Sequence, residues 1–405
     1  MSAAGNEWQP SAPSPPEAAA QPPPARGDVG LILHLAGEQP LPVYFGVAQF
    51  DCPRHIIAVT DKTRPVGEAV RDVAGGNGRS IELLDLDAYD PDLNDKRLRA
   101  CLSAEQGTAC LFNLTGGTKP MFASAYRVAQ ERQIRCFYIE TTRRTVDWLE
   151  RPQRREPLRP AARCIETFVR LAGYRIPRPA PPVPTWTPER RDMLRECWAQ
   201  RRRLQRWHRK LERWTQYPGV PFDSRPDDIG VRAEAILQGP ESGYQGRLTI
   251  GTRTLTVAPW PDLAKFVCGG WFEEFVFQRL SALRDQGRIT DLALNLTVTA
   301  AEAQERGDPF QEMDVALADG YQLTILECKA GDVNQAHVQK LENLKQRFGG
   351  HFGKGVLVLT RPDRVRTVRE RVERSGGVAL ILADVLEAQP ERVLDCQPGE
   401  VMLKP

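Results

Sequence analysis

Between Val29 and Glu150 the sequence alternates five short, continuous apolar segments with segments of helical periodicity. The apolar segments are LILHL (31–35), HIIAVT (55–60), IELLDL (81–86), ACLFNLT (109–115) and IRCFYIE (134–140). The segment TKPMFASAYRVAQERQ, between the last two, is long enough for a helical crossover. Continuous apolar strands that alternate with helices are typical of a parallel sheet covered on both faces. We therefore predict a Rossmann-like α/β domain over residues 28–150.

Length and composition favour a soluble protein of two or three domains. The chain has 405 residues, of which 41% are hydrophobic and 26% charged, and one domain takes about 100–200 residues. No apolar run approaches the roughly 18 residues of a membrane-spanning helix, and the first residues lack the pattern of a secretory signal. Residues 1–27 are rich in Pro, Ala and Ser without apolar periodicity, which predicts a disordered tail. We expect a cytoplasmic protein.

The cysteines and histidines argue against two further classes of protein. Nine Cys are scattered along the chain without a CxxC pair, which disfavours a disulfide framework and a structural zinc site. The five His include no HExxH motif, so the signature of a zinc hydrolase is missing as well.

The net charge of +3 conceals a strongly basic connector. Residues 151–215 hold 17 Arg and one Lys against six acidic residues, and the remaining 340 residues carry a net charge of −9. Such an excess favours binding to a polyanion such as nucleic acid. Four aromatic residues among the arginines are suited to stacking on bases: Trp198, Trp207, Trp214 and Tyr217. A solvated linker with buried tryptophans explains the same pattern, so both interpretations stay open.

The rest of this connector and middle region, residues 151–259, predicts a basic helix followed by short strands. Thr187 and Pro188 have the residue types of an N-cap and a first helical position, and the helix should run to about Trp214. Residues 230–258 have the pattern of short strands.

Residues 260–405 predict a second α/β domain in the order helix, three strands, helix, strand. The first helix, at about residues 261–285, contains GGWFEEFVFQRL. The three strands are predicted at 288–300, 310–319 and 321–330, the second helix at 334–348 and the fourth strand at 355–360. A helix at 364–374 and a strand at 377–382 follow.

A turn signal, Asp-Gly at residues 319–320, joins the second and third strands of this domain into a predicted hairpin. With a two-residue turn, Ala318 faces Tyr321, and paired residue numbers sum to 639. Because side chains alternate with a period of two, one face should carry Glu312, Asp314, Ile325, Glu327 and Lys329. This register makes Asp314 and Glu327 diagonal neighbours, close enough for their carboxylates to share one ion.

Clustered acids on one strand face indicate a functional site, because unpaired carboxylates repel each other and are costly to bury. Oxygen ligands suit Mg²⁺ or Mn²⁺, which bind phosphate substrates and lower the pKa of water. Glu312 is an additional candidate ligand. A lysine two residues after a ligand, as Lys329 is after Glu327, can orient the water or stabilise charge on a phosphate. The structural alternative is a solvated strand with an ion pair between these two residues.

The same residues resemble the PD-(D/E)xK nuclease superfamily. The matching segments are EMDV, LECKAG and GGWFEEF, and the order of elements agrees with that family. The resemblance implies that Asp314 and Glu327 bind a metal ion and that Lys329 assists the attacking water. It also implies that a helical acid, Glu273 or as second candidate Glu274, completes the catalytic site.

In the first domain, ACLFNLTGGTKPMFASAYRVA runs from a strand through two glycines into a helix. The glycines let the backbone approach a ligand, and the helix N-terminus offers N–H groups to an anion. The carboxyl end of a parallel strand is where open α/β sheets bind ligands. The motif is neither GxGxxG nor GxxxxGK[ST], so it does not predict an ordinary dinucleotide or P-loop site.

NLTGGTKPM, with LHLAGEQPLP and AVTDKTRP, resembles the CARF domain of CRISPR-associated effectors. Over residues 29–150 and 260–385 the chain resembles the CARF nuclease effectors of type III CRISPR systems. The resemblance implies a homodimer in which two CARF domains bind a cyclic oligoadenylate, usually cyclic tetra-adenylate. It also implies ten ligand-binding residues: Glu38, Gln39, Thr60, Lys62, Asn113, Thr115, Gly116, Gly117, Thr118 and Lys119.

The leading hypothesis is therefore a messenger-activated, metal-dependent endonuclease of antiviral defence that cleaves DNA, RNA or both. One alternative is a ligand-responsive regulator with a degenerate nuclease fold, which binds nucleic acid through the Arg-rich connector. A second alternative is a constitutive repair or restriction nuclease. The sequence leaves open the ring size of the activator, the preferred ion and the strandedness of the substrate.

Overall fold

The computed structural model describes residues 29–76, 78–103, 105, 107–177, 186–202, 204, 222–223, 231–237, 244–257, 265–301 and 311–404. In these residues the chain forms two seven-stranded sheets and one four-stranded sheet. The predicted tail, residues 1–27, lies outside the described residues.

The N-terminal domain is built on a seven-stranded sheet in the order β3-β2-β1-β4-β5-β6-β7. Its strands are β1 (Leu31–Leu35), β2 (Arg54–Val59), β3 (Ser80–Asp85), β4 (Cys110–Asn113), β5 (Arg135–Glu140), β6 (Thr145–Trp148) and β7 (Arg151–Pro157). The helices are α1 (Leu41–Gln49), α2 (Arg64–Ala74), α3 (Pro91–Ser103) and α4 (Lys119–Glu131). The first five strands are parallel, as the apolar segments predict, and β6 and β7 continue the sheet antiparallel. The sheet thus extends to Pro157, beyond the domain end expected near Glu150.

Both faces of this sheet are covered, which explains why its strands are continuously apolar. All five residues of β1 are buried. Leu31, Leu33 and Leu35 pack into one core with residues of α3 and α4, whereas Ile32 packs into a second core. This second core is continuous with the interior of the C-terminal part of the chain, so the two domains share buried surface.

The middle region contains α5 (Ile165–Leu171), β8 (Tyr174–Arg175) and α6 (Pro188–Ala199). α6 begins where the sequence predicts, because the Thr187 hydroxyl accepts a hydrogen bond from Arg190 N at 3.2 Å. Most of the predicted extension of this helix to Trp214 lies outside the described residues. The predicted short strands are confirmed as an antiparallel sheet of β9 (Phe222–Asp223), β10 (Val231–Leu237), β11 (Tyr244–Ile250) and β12 (Arg253–Val257).

The C-terminal domain contains the second seven-stranded sheet, in the order β18-β17-β16-β15-β14-β13-β8. Its further strands are β13 (Asp291–Ala300), β14 (Gln311–Ala318), β15 (Leu323–Lys329), β16 (Lys354–Leu359), β17 (Val378–Leu382) and β18 (Val401–Met402). Its helices are α7 (Trp271–Asp285), α8 (Gln335–Gly349), α9 (Val365–Arg374), α10 (Ala383–Ala388) and α11 (Arg392–Asp395). A π-helical turn over Phe266–Gly270 precedes α7. The predicted order of helix, three strands, helix, strand is confirmed.

The register of the β14–β15 hairpin differs from the prediction. Ala318 pairs with Leu323 and Val315 with Leu326, so paired numbers sum to 641 and not 639. The turn is longer than two residues because the Asp319 carboxylate accepts hydrogen bonds from Tyr321 N and Gln322 N. A change of two in the sum keeps every side chain on its predicted face. One step beyond the last pair, the register places the site acids directly opposite each other and not diagonally.

This turn also contacts the N-terminal domain and the chain segment that directly follows it. Ala162 N donates to Gly320 O at 3.0 Å, and Tyr321 Oη donates to Leu158 O at 3.0 Å. Arg144 forms an ion pair with Asp319 at 2.7 Å. Gly320 has a φ of 94°, and a Cβ there would lie 2.6 Å from Pro160 Cβ.

The described part of the connector packs on the C-terminal domain. Trp198 is buried and stacks on Phe275 with ring centroids 4.4 Å apart, and Arg201 lies over the Trp198 ring and pairs with Asp384 at 2.7 Å. Trp198 is therefore a core residue, and Arg201 is held by an acid. The other three aromatic residues of the predicted stacking set, Trp207, Trp214 and Tyr217, lie outside the described residues.

Within the described ranges, no helix has the length and apolar character needed to cross a bilayer.

Candidate functional site

Two strands of the hairpin bring two acids and a lysine together, as the alternation of side chains predicts. Asp314 on β14 is 8% exposed and Glu327 on β15 is 2% exposed. Lys329 Nζ lies 2.6 Å from Glu327 Oε1 and 3.4 Å from Asp314 Oδ2. Asp314 Oδ2 also accepts a hydrogen bond from Cys328 N at 2.8 Å. The nuclease motif residues thus form one buried, charged cluster.

The charges of this cluster perturb each other. Burial, and then the charge of Glu327, raise the pKa of Asp314. Burial alone raises the pKa of Glu327, but Lys329 and Lys340 outweigh it and hold that pKa below the ordinary value. Burial opposes the charged form of Lys329, yet Asp314 and Glu327 raise the pKa of this ammonium. Lys329 therefore keeps its proton at neutral pH and acts as a cation and hydrogen-bond donor.

Lys340 on α8 is a member of the cluster that the motif does not reveal. Its Nζ donates to Glu327 Oε2 at 2.9 Å, so each oxygen of Glu327 has a lysine partner. His337, one turn earlier on the same helix, lies close enough for Lys329 to lower its pKa, after the larger effect of burial. Polar residues spaced three apart on the inner face of the second helix are the sequence signal that could have found both.

The two neighbouring acids of α7 have different surroundings. Among the described residues, Glu273 Oε2 is buried without a hydrogen-bond partner. Burial, and then the charge of Asp314, raise the pKa of Glu273 to about 8. Glu274 instead accepts two hydrogen bonds from the guanidinium of Arg190, one of them from Nε at 2.8 Å. Glu273 therefore faces the cluster, and Glu274 joins α7 to α6.

Glu312 lies at the exposed edge of this site. Its Oε1 forms an ion pair with Lys265 Nζ at 2.8 Å, and about half of both side chains is exposed. Its charge contributes to the raised pKa of Glu273, behind burial and Asp314. Glu312 is thus near the cluster, but its carboxylate is held by a lysine outside it.

The donor set suits a hard divalent cation, but the carboxylates are not gathered around one. The unpartnered Glu273 oxygen, with Asp314 and Glu327, provides the oxygen donors that Mg²⁺ and Mn²⁺ prefer. In the described ranges, however, no three His, Cys, Asp or Glu side chains are grouped closely enough to hold a metal ion. Lys329 and Lys340 occupy the Glu327 oxygens that a cation would need.

In the N-terminal domain, the Gly-Gly loop after β4 lies against the loop after β1. A Cβ on Gly116 would lie 2.6 Å from Gly37 N and would overlap Leu35 O. Gly117 has a φ of 81°, a conformation that glycine adopts without strain. Thr118 is the N-cap of α4, and its hydroxyl accepts from Met121 N at 3.3 Å. Both glycines are therefore required by the backbone, and α4 directs its N-terminus to this edge of the sheet.

Asn113 holds the Gly-Gly loop from inside the domain and does not face the surface. It is 1% exposed, and its amide nitrogen donates to Pro42 O at 3.2 Å and contacts His34 Nδ1 at 3.2 Å. Its amide oxygen accepts from the Thr115 hydroxyl at 2.5 Å. Ile139 N donates to the same hydroxyl at 2.9 Å. The side chains of Asn113 and Thr115, both predicted to bind a ligand, are thus engaged in internal hydrogen bonds.

His34 and His55 extend this buried network. His34 Nε2 lies 3.0 Å from His55 Nδ1, and His55 Nε2 lies 3.2 Å from Cys52 O. Burial lowers the pKa of His34 and brings that of His55 to about 4. Both rings are therefore neutral, and each donates one hydrogen bond. Asn113 donates to His34, His34 donates to His55, and His55 donates to Cys52 O. This network fixes the strand ends from which the loops emerge.

The other predicted ligand residues divide into exposed and internal side chains. Glu38 and Lys62 are exposed and pair with each other at 2.5 Å, which lowers the pKa of Glu38. Thr60 is buried, with its hydroxyl 3.2 Å from that of Thr63. Lys119 is exposed at the start of α4 and forms no ion pair with the described residues. Among the loops after β1, β2 and β4, which we call the loop cluster, Lys119 is therefore more available to an anion than Lys62, which pairs with Glu38.

The side chain of Gln39 contacts the C-terminal domain at Gly350 and does not lie with the other predicted ligand residues. Gly350, directly after α8, has a φ of 58°, and a Cβ there would overlap Gln39 Oε1. The two residues line a cleft of about 240 Å³ between the domains, together with residues of α2, α5 and the end of α8. Gln39 is therefore positioned as an interdomain contact.

Comparison with known proteins identifies the domain that carries the acid–lysine cluster. Residues 262–396 match the sequence model of the Card1-like endonuclease domain. The C-terminal domain is thus similar to Card1-like endonuclease domains. This match, together with the solved structures below, confirms the resemblance to CARF effector nucleases of type III CRISPR systems. A comparison with curated protein sequences gave no match.

Several solved structures share the fold of most of the chain. Protein VC1899 from Vibrio cholerae superposes with a TM-score of 0.68 at 18% identity, covering 90% of this chain and 97% of that one. Can2 from Sulfobacillus thermosulfidooxidans, solved in complex with cyclic tetra-adenylate, gives 0.65 at 16% identity and covers 90% and 98%. A type III CRISPR defence DNA nuclease activated by cyclic oligoadenylate gives 0.51 at 18% identity and covers 85% and 47%. The predicted α/β fold class, with a Rossmann-like N-terminal domain before the Card1-like domain, is confirmed.

Proposed function

We propose that the protein is a metal-dependent endonuclease of type III CRISPR antiviral defence that a cyclic oligoadenylate switches on. The observation that carries this proposal is the buried cluster of Asp314, Glu327 and Lys329 beside the unpartnered Glu273 oxygen. It lies within the residues that match a Card1-like endonuclease domain. The structure of Can2 with cyclic tetra-adenylate supports that ring as the activator, because the two chains share their fold.

For catalysis we assign Glu273, Asp314 and Glu327 as the metal ligands, with Glu312 as an outer acid. When bound, Mg²⁺ or Mn²⁺ supplies positive charge that polarises a phosphodiester and acidifies water. The Lys329 ammonium stabilises the negative charge that develops on the phosphate oxygens as water attacks phosphorus and the P–O bond breaks. The proton of the attacking water leaves to solvent, and the departing oxygen takes one up. Lys329 holds its proton too tightly to be the base.

For sensing, we assign the loop cluster at the carboxyl ends of β1, β2 and β4. The backbone of Gly116 and Gly117, the N-terminus of α4 and Lys119 supply N–H groups and positive charge for the phosphates of the ring. The exposed pair of Glu38 and Lys62 lies on the adjoining loops. In a homodimer two copies of this cluster face one ring, which makes the ligand part of the dimer contact.

For switching, we assign the two elements that reach from the interdomain surface to the catalytic cluster. The turn between β14 and β15 docks on the N-terminal domain, and β15 carries Glu327 and Lys329 at its other end. α8 begins beside the cluster and ends at the contact between Gly350 and Gln39. A ring that binds one arrangement of these elements more tightly shifts the protein to that arrangement.

The test is cleavage of single-stranded DNA, plasmid DNA and RNA by the purified protein with Mn²⁺, with and without cyclic tetra-adenylate. We expect cleavage only when the ring is present. The variant Lys329→Ala should lose about 100- to 1,000-fold in cleavage rate and keep its affinity for the ring. Cleavage by Lys329→Ala at a rate close to that of wild type would overturn the catalytic assignment.

One observation favours a second candidate, a ring-responsive regulator that binds nucleic acid without cutting it. Both Glu327 oxygens are held by lysines, and no group of three ligands is gathered in the described ranges. In the same experiment this candidate predicts a ring-dependent gel shift, without cleavage of any substrate and with or without Mn²⁺.

A further inference from the structure

Tyr89 is an aromatic side chain that projects into solvent from the edge of the proposed ring-binding surface. Among the described residues three large hydrophobic side chains are exposed, and Tyr89, at 82%, is the most exposed. The other two, Tyr138 and Leu403, are each 39% exposed. Burying an aromatic ring is energetically favourable, so an aromatic side chain that is almost fully exposed is a candidate contact for a ligand or partner.

The loop that carries Tyr89 is held rigid by its own hydrogen bonds. Asp87 Oδ1 accepts from Tyr89 N at 2.8 Å and from Asp90 N at 2.9 Å. The completely buried Asn94 anchors the loop from α3, because its amide oxygen accepts from Asp87 N and its amide nitrogen donates to Asp87 O, both at 2.7 Å. Asp90 in turn accepts from Leu93 N at 2.9 Å. The position of the Tyr89 backbone is therefore preorganised.

The same loop is tied to the Gly-Gly loop. The hydroxyl of Thr118, the N-cap of α4, donates a hydrogen bond to Ala88 O at 2.6 Å. Ala88 immediately precedes Tyr89 in the chain. Tyr89 also lies near Lys62, whose pKa is raised mainly by its hydrogen bond to Glu38 and to a smaller extent by its proximity to Tyr89. Tyr89 thus lies between the loop after β2 and the loop after β4, beside groups suited to phosphate.

We propose that Tyr89 stacks on an adenine base of the activating ring, while the adjacent Gly-Gly loop and Lys119 bind its phosphates. This inference rests on the proposed function, and it adds a base contact to a surface otherwise assigned only phosphate contacts. A flat aromatic face accepts any purine or pyrimidine, so Tyr89 contributes affinity and the orientation of the base. A rigid loop loses little entropy when the ring binds, which makes the contact efficient.

The test is calorimetric titration of the full chain with cyclic tetra-adenylate for wild type, Tyr89→Ala and Tyr89→Phe. The matched control is Tyr138→Ala, a partly exposed tyrosine of β5. We expect Tyr89→Ala to weaken binding about 5- to 150-fold, the range for loss of one base-stacking contact. Tyr89→Phe and Tyr138→Ala should bind within about 3-fold of wild type. Because Tyr89 is exposed, Tyr89→Ala should also unfold at the wild-type temperature.

The outcomes separate this inference from the proposed function. If wild type does not bind the ring, both fall together. If wild type binds and Tyr89→Ala binds equally tightly, only the stacking role is overturned and the sensor assignment remains. Analytical ultracentrifugation of the same samples measures the oligomeric state. A change of oligomeric state in Tyr89→Ala would place Tyr89 in a subunit contact and would overturn the stacking proposal.

Discussion

At the scale of single residues, the two adjacent acids of α7 show how position decides role. Glu273 has an unpartnered buried oxygen beside Asp314, whereas Glu274 is bound by Arg190. We predict that Glu273→Gln lowers the cleavage rate about 100-fold or more, because it removes a metal ligand, and leaves the unfolding temperature unchanged or higher. Glu274→Gln should leave the cleavage rate close to that of wild type but lower the free energy of unfolding by about 2 kcal/mol, as expected for a hydrogen bond to a charged group.

Cleavage assays and thermal unfolding of the two variants, purified side by side, check this prediction. Equal loss of cleavage in both variants, or a stability loss confined to Glu273→Gln, would contradict the assignment of the helical acid.

The raised pKa of Glu273 predicts a pH dependence of stability in metal-free protein. Its pKa in the folded state is about 8, well above the usual value of about 4.3 in an unfolded chain. Between these values the folded state binds more protons than the unfolded state, so stability falls as pH rises from about 4.5 to 8. Denaturant unfolding in EDTA should show this slope in wild type and a shallower one in Glu273→Gln. Saturating Mn²⁺ should remove the difference, and an identical slope in both proteins without metal would contradict it.

Lys340 gives a further prediction, because it competes with a cation for Glu327. Lys340→Met keeps most of the side-chain volume and frees one oxygen of Glu327. We expect this variant to bind Mn²⁺ more tightly than wild type in calorimetry without substrate. The matched control is Lys265→Met, which frees only the outer acid Glu312. Weaker Mn²⁺ binding by Lys340→Met than by the control would show that Lys340 supports the site and does not compete with the cation.

The sequence predicts which residues of one motif share a face better than it predicts their contacts with residues of distant elements. Asp314, Glu327 and Lys329 share a face because strand alternation is strictly local, and α7 supplies a nearby acid. Lys340 could not be predicted, because its contact with Glu327 depends on how α8 packs on the sheet. The contact between Asn113 and the buried His34 could not be predicted either, because it depends on the pairing of β1 with β4.

At the scale of elements, β15 and α8 run in opposite directions between the same two places. β15 starts at the turn docked on the N-terminal domain and ends at Lys329, a span of about 20 Å for seven residues. α8 starts near the catalytic cluster, carries Lys340 and ends against Gln39 after about 22 Å for fifteen residues. A shift of the N-terminal loops therefore acts directly on the far ends of elements that hold the cluster.

Gln39 is the contact that tests this coupling. We predict that Gln39→Ala binds cyclic tetra-adenylate normally but reduces ring-dependent activation about 2- to 30-fold, the range for residues that transmit coupling. Gln130→Ala, an exposed glutamine of α4, is the matched control and should behave as wild type. Ring affinity by calorimetry and cleavage rate at saturating ring should be measured on the same preparations. Weakened ring binding with full maximal activation would make Gln39 a ligand contact and not a coupling residue.

The elements themselves could be predicted from the sequence, but the length of one turn could not. Apolar periodicity identifies α7 to α9 and β13 to β17 of the Card1-like domain, but not the short elements α10, α11 and β18. Thr187 marks the start of α6 correctly. The Asp-Gly signal in the hairpin predicts a two-residue turn, whereas Gly320 and Tyr321 form hydrogen bonds with Ala162 and Leu158, just after the N-terminal sheet. An interdomain contact overrides local turn preference, and no local pattern records it.

At the scale of the whole molecule, one continuous core joins the N-terminal domain to the Card1-like domain. The loop cluster proposed to bind the ring and the cluster proposed to cut phosphodiesters lie in different domains that share this buried interior. The described arginines Arg190 and Arg201 of the connector pair with acids of the C-terminal domain. Part of the basic excess thus stabilises the domain arrangement and is not available to nucleic acid.

The most direct test of the central claim is the rate of DNA cleavage in Mn²⁺, measured as a function of cyclic tetra-adenylate concentration for wild type and Lys119→Ala. We expect no cleavage without the ring and saturable activation of wild type. Lys119→Ala should reach the same maximal rate at ring concentrations about 10-fold higher or more. Cleavage by wild type at the same rate with and without the ring would contradict the claim that the N-terminal domain controls the nuclease.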